Sequence, residues 1–178
     1  MASVLLFLGA AARLSLSVAH RSKSPGLVRA SPLGRLDRVR DTTRAMSRET
    51  VEVVQRLWDA WNEGRVEEGF ALIDPDVRWT TAADEPDPQT YVGHEGLRRL
   101  LASWADMWQE GGTSQPTEFI EHGGVVIVPT RFHVRGRTSG VDIDSEETYV
   151  VRVCDGKIMR VQEYRTKDEA LQALQAAE

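Results

Sequence analysis

Arg131 and His133 are the pair of residues in this sequence with the clearest capacity for chemistry. They lie two positions apart in the run Val125–His133, in which β-branched residues alternate. On a strand, both side chains therefore point to the same face. An imidazole beside a carboxylate in an apolar pocket can act as a general base near neutral pH, and the guanidinium can orient that carboxylate or polarise a substrate. The alternative is an Arg-x-His pair on the solvated face of a sheet, which is common.

The pair belongs to a stretch that predicts three consecutive antiparallel strands. A Gly123-Gly124 turn precedes two alternating runs, Val125–His133 and Val141–Val153. The Asp155-Gly156-Lys157 turn then reverses the chain into Ile158–Tyr164. A sheet of this kind needs helices to cover one of its faces.

Two amphipathic segments upstream supply such helices. Their apolar residues recur at helical spacing and predict helices from Met46 to about Asn62 and from Gly93 to Trp108. The fold class is therefore α+β, a cone-shaped, curved, mostly antiparallel sheet with three helices from the N-terminal half on its concave face, enclosing a pocket. The remaining predicted elements are a short helix at Val66–Ile73, strands at Val77–Thr81 and Thr117–His122, an irregular loop at Ala82–Thr90 and a last helix at Ala170–Ala176.

Charge divides the chain into two parts. Residues 1–45 hold eight of the 22 basic residues and two of the 27 acidic ones, a net charge of +6, whereas residues 46–178 carry −11. The stretch from Arg21 to Arg44 is rich in Arg, Ser and Pro without a sustained apolar period, which predicts disorder. We expect residues 1–45 to be a disordered, dispensable leader or the result of a start codon assigned too early, and 46–178 to be the domain. A signal peptide or a transit peptide is the alternative.

Composition excludes several classes of function. An acidic domain is unsuited to a nucleic-acid phosphate backbone. The apolar run Val4–Ala12 is shorter than the roughly 20 residues that a membrane span needs. Cys154 is the only cysteine, and no Cys/His cluster or phosphate loop is present, so we predict neither a metal site nor a cofactor. We expect a cytoplasmic protein with no nucleic-acid or membrane partner.

Five fragments of the domain have a characteristic order and spacing. They are Trp61-Asn62-Glu63-Gly64, Asp74-Pro75-Asp76-Val77-Arg78-Trp79, Tyr91-Val92-Gly93-His94-Glu95-Gly96-Leu97, Asp155-Gly156-Lys157-Ile158 and Glu169-Ala170-Leu171. Through these fragments the domain resembles the SnoaL-like members of the nuclear-transport-factor-two-like superfamily, from about Glu49 to Leu174. The resemblance implies a cone with a deep pocket between sheet and helices, and frequent dimerisation through the sheet. The superfamily includes isomerases, cyclases, hydrolases and non-catalytic binders, so it does not specify a reaction.

The ketosteroid isomerase pattern within this superfamily does not fit the sequence. That enzyme uses an Asp as general base, together with an oxyanion hole formed by a Tyr and a protonated Asp. The Tyr position holds Leu57 here, and the base and second Asp positions fall near Thr81 and Thr148. Those three residues cannot carry out the required proton transfer, although Asp84 lies near the base position.

The limonene-epoxide hydrolase pattern fits better. It places an Arg between two carboxylates, and the Arg position falls on Arg131. The two carboxylate positions fall on His133 and Glu163, whereas a Tyr-x-Asn pair that holds water falls on Trp79 and Thr81. The resemblance thus makes Arg131, His133 and Glu163 the candidate catalytic group, with His133 or Glu163 as base.

We predict that the protein binds a small hydrophobic molecule. If it is an enzyme, we expect cofactor-free acid–base chemistry such as isomerisation, cyclisation or hydrolysis. The alternative is a non-catalytic binding or dimerisation module. We also predict a homodimer through the sheet, because three helices cannot cover both of its faces. The residues expected to line the ligand pocket are Trp58, Trp61, Trp79, Thr81 and Trp104.

Overall fold

In the part of the chain that the structure describes, the architecture is an α+β arrangement of a seven-stranded sheet and four helices. The computed structural model describes residues 34–109 and 112–176, with side chains from Arg48 onward. In chain order the elements are α1 (Gly34–Asn62), α2 (Val66–Ala71), β1 (Ile73–Thr80), β2 (Thr90–Val92), α3 (Gly93–Met107), β3 (Thr113–Pro116), β4 (Ile120–His122), β5 (Val125–Arg135), β6 (Asp142–Cys154), β7 (Lys157–Tyr164) and α4 (Lys167–Gln175).

The strands form one curved, mostly antiparallel sheet in the order β2-β1-β7-β6-β5-β3, and β4 also pairs with β5. The β1–β7 pair is parallel, with Trp79 opposite Val161, and the other pairs are antiparallel. This parallel pair brings the first strand of the domain beside the last one. Residues that are about 80 positions apart in the sequence are therefore neighbours in the sheet.

The three strands predicted from the alternating runs are confirmed. Strands β5 and β6 pair without interruption from Val125 opposite Arg152 to Arg135 opposite Asp142. The turn between β6 and β7 has Asp155 at φ +48° and Gly156 at φ +70°. Two consecutive left-handed residues are the backbone of a type I′ turn, which the Asp-Gly dipeptide favours.

The two faces of the sheet pack against different helices. On the inner face, Val126 and Val128 of β5 belong to the main core, together with the apolar residues of α1 and α3. On the outer face, Val125 and Ile127 pack against Ala170 of α4. Residue parity in β5 therefore defines the face, with even-numbered residues inside and odd-numbered residues outside.

Several boundaries differ from the sequence predictions. Helix α1 begins at Gly34 rather than at Met46, so residues 34–45 are helical where disorder was expected. Two short strands, β3 and β4, replace the single strand predicted at Thr117–His122, and β2 follows the predicted loop. Helix α4 begins earlier because Thr166 caps it by accepting a hydrogen bond from the Glu169 N–H at 3.2 Å.

The predictions for the first 33 residues, including the apolar run Val4–Ala12, lie outside the described residues. The domain boundary and the dispensability of the leader stay predictions. Among the helices described here, none combines the length and the apolar character that a membrane crossing demands.

The predicted homodimer depends on an outer sheet face that no helix covers, and the structure does not have such a bare apolar face. Helix α4 covers one end of the outer face. The other end carries charged residues of β5 and β6 in facing pairs, such as Arg131 with Glu146 and Arg135 with Asp142. The homodimer itself stays a prediction without that support.

The fold depends on a close approach between helix α2 and Trp61 of α1. An ideal Cβ atom on Gly69 would lie 2.2 Å from the indole Nε1 of Trp61. Non-bonded carbon and nitrogen atoms do not approach each other this closely in proteins. Trp61 is a buried side chain, and its neighbours allow little movement. A glycine is thus required here by packing, although α2 is helical and alanine has the higher helix propensity.

We expect Gly69→Ala to destabilise the protein by about 1–3 kcal/mol through overpacking, although helix propensity alone would favour alanine. Chemical denaturation measures this change in the free energy of unfolding. The neighbouring exposed substitution Glu68→Ala is the control and is expected to change it by less than about 0.5 kcal/mol. A stabilised Gly69→Ala variant would show that Trp61 moves aside without cost.

Candidate functional site

The predicted catalytic group Arg131, His133 and Glu163 does not come together in the structure. Arg131 and His133 share a face, as strand alternation predicted, but it is the outer face. Their side chains are 72% and 52% exposed. Glu163 is 1% exposed and lies in the interior. The expectation that the three converge on one pocket is therefore wrong.

The strand register explains this separation. Directly paired residues of neighbouring strands project to the same face of a sheet. Glu163 pairs with Tyr149, and Tyr149 pairs with Val128 on the inner face of β5. Arg131 lies three residues beyond Val128, so alternation directs it to the opposite face. The flanking Tyr164 packs on the outer cluster beside α4, as alternation requires for a residue adjacent to an inward Glu163.

On the outer face, the two predicted residues form exposed ion pairs. The Arg131 Nε donates to Glu146 at 2.9 Å, and the His133 Nδ1 lies 2.9 Å from an Asp144 oxygen. Both pairs line an open groove of about 450 Å³. Exposed pairs of this kind contribute at most about 1 kcal/mol to stability. Because both pairs are open to solvent, they lie outside the apolar pocket in which a catalytic group is expected.

The interior contains a different candidate site, centred on Glu163. The indole Nε1–H of Trp79 donates a hydrogen bond of 2.5 Å to Glu163 Oε1. The second oxygen, Oε2, is shielded from solvent and has no hydrogen-bond partner among the residues that the structure describes. A carboxyl group with one oxygen held and the other open can direct that oxygen toward a bound molecule or a neighbouring acid.

Two more glutamates face Glu163 from other parts of the chain. Glu147 of β6 is 1% exposed and accepts a hydrogen bond of 2.7 Å from the Tyr149 hydroxyl. Glu85, from the loop between β1 and β2, is half-buried and has a shielded Oε1 atom. One oxygen from each of the three residues lies within 4.8 Å of those of the other two. We call Glu85, Glu147 and Glu163 the acidic triad.

Burial and mutual repulsion raise the pKa values of two members of this triad. Burial is the larger cause for Glu163, followed by the charge of Glu147, and together they hold its pKa well above 4.5 despite the opposing Trp79 hydrogen bond. Burial and then Glu147 also raise the pKa of Glu85. The pKa of the Tyr149 hydroxyl is likewise raised well above 10 by burial and by Glu147. Glu163 therefore favours its protonated form.

The residues predicted to bind a ligand do lie in the interior around the triad. Trp79 touches Trp61, Trp104 and Tyr149 with ring centroids 5.6, 6.4 and 6.1 Å apart. Trp58 meets the other side of Tyr149 at 5.3 Å. Thr81 is buried, and its hydroxyl accepts a hydrogen bond from the Gln89 N–H at 3.1 Å. Among these five residues, Trp79 contacts the triad directly through its hydrogen bond to Glu163. The role of the five in ligand binding stays a prediction.

Sequence reasoning missed Glu147, Glu85 and Tyr149. Glu147 and Tyr149 are in phase with the buried Val151 along β6, which is a usable signal. The opposite phase also holds the apolar Val150, so alternation alone did not distinguish the two faces. Glu85 lies in an irregular loop, where no periodicity indicates direction.

Comparison with known proteins agrees with this architecture. A profile of the SnoaL-like domain matches residues 54–161, more than half of the chain. The chain belongs to the SnoaL-like family. The match includes Glu85 and Glu147 and stops two residues before Glu163. No curated protein matches the sequence.

Solved structures of SnoaL-like and related proteins share the fold. An NTF2-like protein of unknown function from Burkholderia pseudomallei is 20% identical with a TM-score of 0.60, covering 70% of this chain and 95% of that one. A protein described as a SnoaL-like polyketide cyclase from Jannaschia sp. CCS1 is 18% identical with a TM-score of 0.58, covering 70% and 90%. A protein with a ketosteroid isomerase-like fold from Catenulispora acidiphila, in complex with trimethylamine, is 17% identical with a TM-score of 0.55, covering 68% and 90%. Likeness at these identities establishes the fold alone.

Glu163→Gln should change the pH dependence of stability. A carboxyl group with a raised pKa binds more protons in the folded state than in the unfolded state, so its contribution is lost as the pH rises from about 4.5 through the folded pKa. The negative charges of Glu147 and Glu85 beside Glu163 raise its pKa further. Glutamine cannot ionise, so we expect the variant to melt about 3 °C or more above the wild type at pH 8 and near it at pH 5.

Calorimetry between pH 5 and pH 8 measures this difference. Glu146→Gln is the matched control, because Glu146 neighbours Glu147 in sequence but is exposed on the outer face. Its melting curve should follow that of the wild type at both pH values. A Glu163→Gln variant with a constant offset at every pH would contradict a raised pKa.

Proposed function

We propose that this SnoaL-like domain binds a small, mostly apolar molecule in its interior and that Glu163 acts there as a general acid. The observation that carries the proposal is the Glu163 carboxyl group, buried beside Trp79 with one oxygen left without a hydrogen-bond partner among the described residues. A carboxylic acid kept protonated in apolar surroundings can donate a proton or a hydrogen bond near neutral pH.

The surrounding groups assign further roles. The Trp79 N–H fixes the orientation of the Glu163 carboxyl group. The Tyr149–Glu147 pair supplies a second acid–base pair within the same enclosure. Reactions that suit this set are isomerisation, cyclisation or hydrolysis through proton transfer. The rings of Trp58, Trp61 and Trp104 would contact the apolar part of the ligand.

Two proteins that share this fold were crystallised with small organic molecules. TerC, which is 21% identical with a TM-score of 0.59 over 70% of this chain and 96% of its own, was crystallised with polyporic acid. The Catenulispora acidiphila protein was crystallised with trimethylamine. Both chains share the fold with this protein, and both were determined with small organic molecules.

A second candidate is a binding module without catalysis. The open groove on the outer face favours it, because a molecule bound there would meet Arg131 and His133 but not the buried Glu163. The protonation state of Glu163 distinguishes the two candidates, since only the acid–base proposal requires an exchangeable proton there.

Infrared spectroscopy tests the acid. A protonated carboxyl group has a C=O stretch separate from the bands of carboxylates, and it shifts in heavy water. At pH 7 we expect one such band in the wild type, which is lost in Glu163→Gln and retained in Glu146→Gln. The absence of the band in the wild type, or its retention in Glu163→Gln, would contradict the assignment of the proton to Glu163.

The neutral dye Nile red tests the interior binding site. We expect one molecule to bind per chain with a blue-shifted emission, and we expect its binding to shift the Glu163 carboxyl band. The outer-face variant His133→Ala should bind the dye with unchanged affinity. Loss of binding in His133→Ala, with no shift of the band in the wild type, would place the dye in the outer groove instead.

A further inference from the structure

We infer that the acidic triad is a binding site for a hard divalent cation, with Ca²⁺ as the best match. The three glutamates come from a loop, from β6 and from β7, so the fold brings them together although they are far apart in the sequence. One oxygen from each lies within 4.8 Å of those of the other two. Two oxygens bound to one Ca²⁺ can be separated by up to twice the bond length of about 2.3–2.6 Å.

An independent observation indicates a missing ligand at this point. Glu163 is 99% buried, and its Oε2 atom has no hydrogen-bond partner in the part of the chain that the structure describes. A buried polar atom without a partner costs about 1–3 kcal/mol, so native proteins rarely retain one without a reason. Glu85 adds a second shielded oxygen of this kind, Oε1, at the same cluster.

Hydrogen bonds orient two members of the triad. Trp79 donates to Glu163, and Tyr149 donates to Glu147. Orienting hydrogen bonds to ligating carboxylates are a regular feature of metal sites.

The chemistry of the donors selects the class of cation. All three groups offer carboxylate oxygens, which suit Ca²⁺, Mg²⁺ and Mn²⁺ better than Zn²⁺ or Cu²⁺. Ca²⁺ accepts irregular geometry, whereas Mg²⁺ demands an octahedron and retains several waters. The rings of Trp61, Trp79 and Trp104 are already in contact. A single metal ion therefore suits this interior better than a larger organic cation, such as an alkylammonium ion.

This inference is separate from the proposed acid–base function, although both use the same oxygens. A proton and a divalent cation are alternative ways to satisfy the charge of the triad, so bound Ca²⁺ would displace the proton of Glu163. Metal binding can therefore fail while the infrared and dye experiments succeed, and the reverse is equally possible.

Terbium luminescence tests the site in the full-length protein. Tb³⁺ substitutes for Ca²⁺ and emits when a nearby indole is excited, and Trp79 is hydrogen-bonded to one of the ligands. We expect sensitised emission that saturates at one Tb³⁺ per chain and is displaced by Ca²⁺. Glu147→Gln and Glu163→Gln should weaken Tb³⁺ binding at least about tenfold.

Glu146→Gln is the matched control, since Glu146 and Glu147 differ in face but not in chemistry. It should bind Tb³⁺ like the wild type. Equal affinity in Glu146→Gln and Glu147→Gln, or no saturable emission in the wild type, would overturn the inference. If the interior variants do not fold, Glu85→Gln in the half-exposed loop serves instead, and wild-type affinity in that variant would also overturn it.

Discussion

The parallel pairing of β1 with β7 is the interaction on which the interior depends. It sets Trp79 opposite Val161 and thereby brings the Trp79 indole within reach of Glu163, two residues further along β7. The antiparallel pairing of β7 with β6 then places Tyr149 opposite Glu163. A shift of one residue in either pairing would exchange inward and outward side chains throughout the strand. The register of two strand pairs therefore determines the chemistry of the interior.

The interior concentrates acidity in surroundings that oppose charge. Two of the three carboxyl groups, those of Glu147 and Glu163, are buried, and the electrostatic cost of ionising all three is high because a buried charge loses its hydration. Such a cluster is stable only when its charge is neutralised by protons, by a cation or by a ligand. The fold thus retains a group that is costly for stability, and such groups are most often retained at functional sites.

The sequence predicted the framework better than the site. Alternation correctly identified β5, β6 and β7 and placed Arg131 and His133 on a common face. Alternation gives only which residues share a face, however, and not which of the two faces is buried. In β5 both phases carry valine or isoleucine near the start of the strand, because α4 covers the outer face there. The helix that resolves this ambiguity lies at the end of the chain, beyond the reach of a local pattern.

Among the candidate residues, Glu163 was found through family resemblance. Trp58, Trp61 and Trp104 were found through their position on helical apolar stripes, and Trp79 through its place in an alternating strand. Glu147 was not found, because Asp142–Thr148 has the composition of a solvated strand end. Glu85 was not found, because nothing local in the proline-containing loop indicates that it folds back over the sheet. Long-range pairing determines both positions, and a single sequence carries little information on it.

The close approach of α2 to Trp61 means that a residue outside the aromatic interior influences how the interior rings pack. Gly69 contributes no atom beyond its backbone to the aromatic layer, yet its missing side chain fixes how far the Trp61 ring extends toward Trp79. The position of the Trp61 ring beside Trp79, which is hydrogen-bonded to Glu163, is thus set partly by a helix that supplies no member of the acidic triad. Related chains could acquire a different ligand preference through one methyl group in α2, with every acidic residue unchanged.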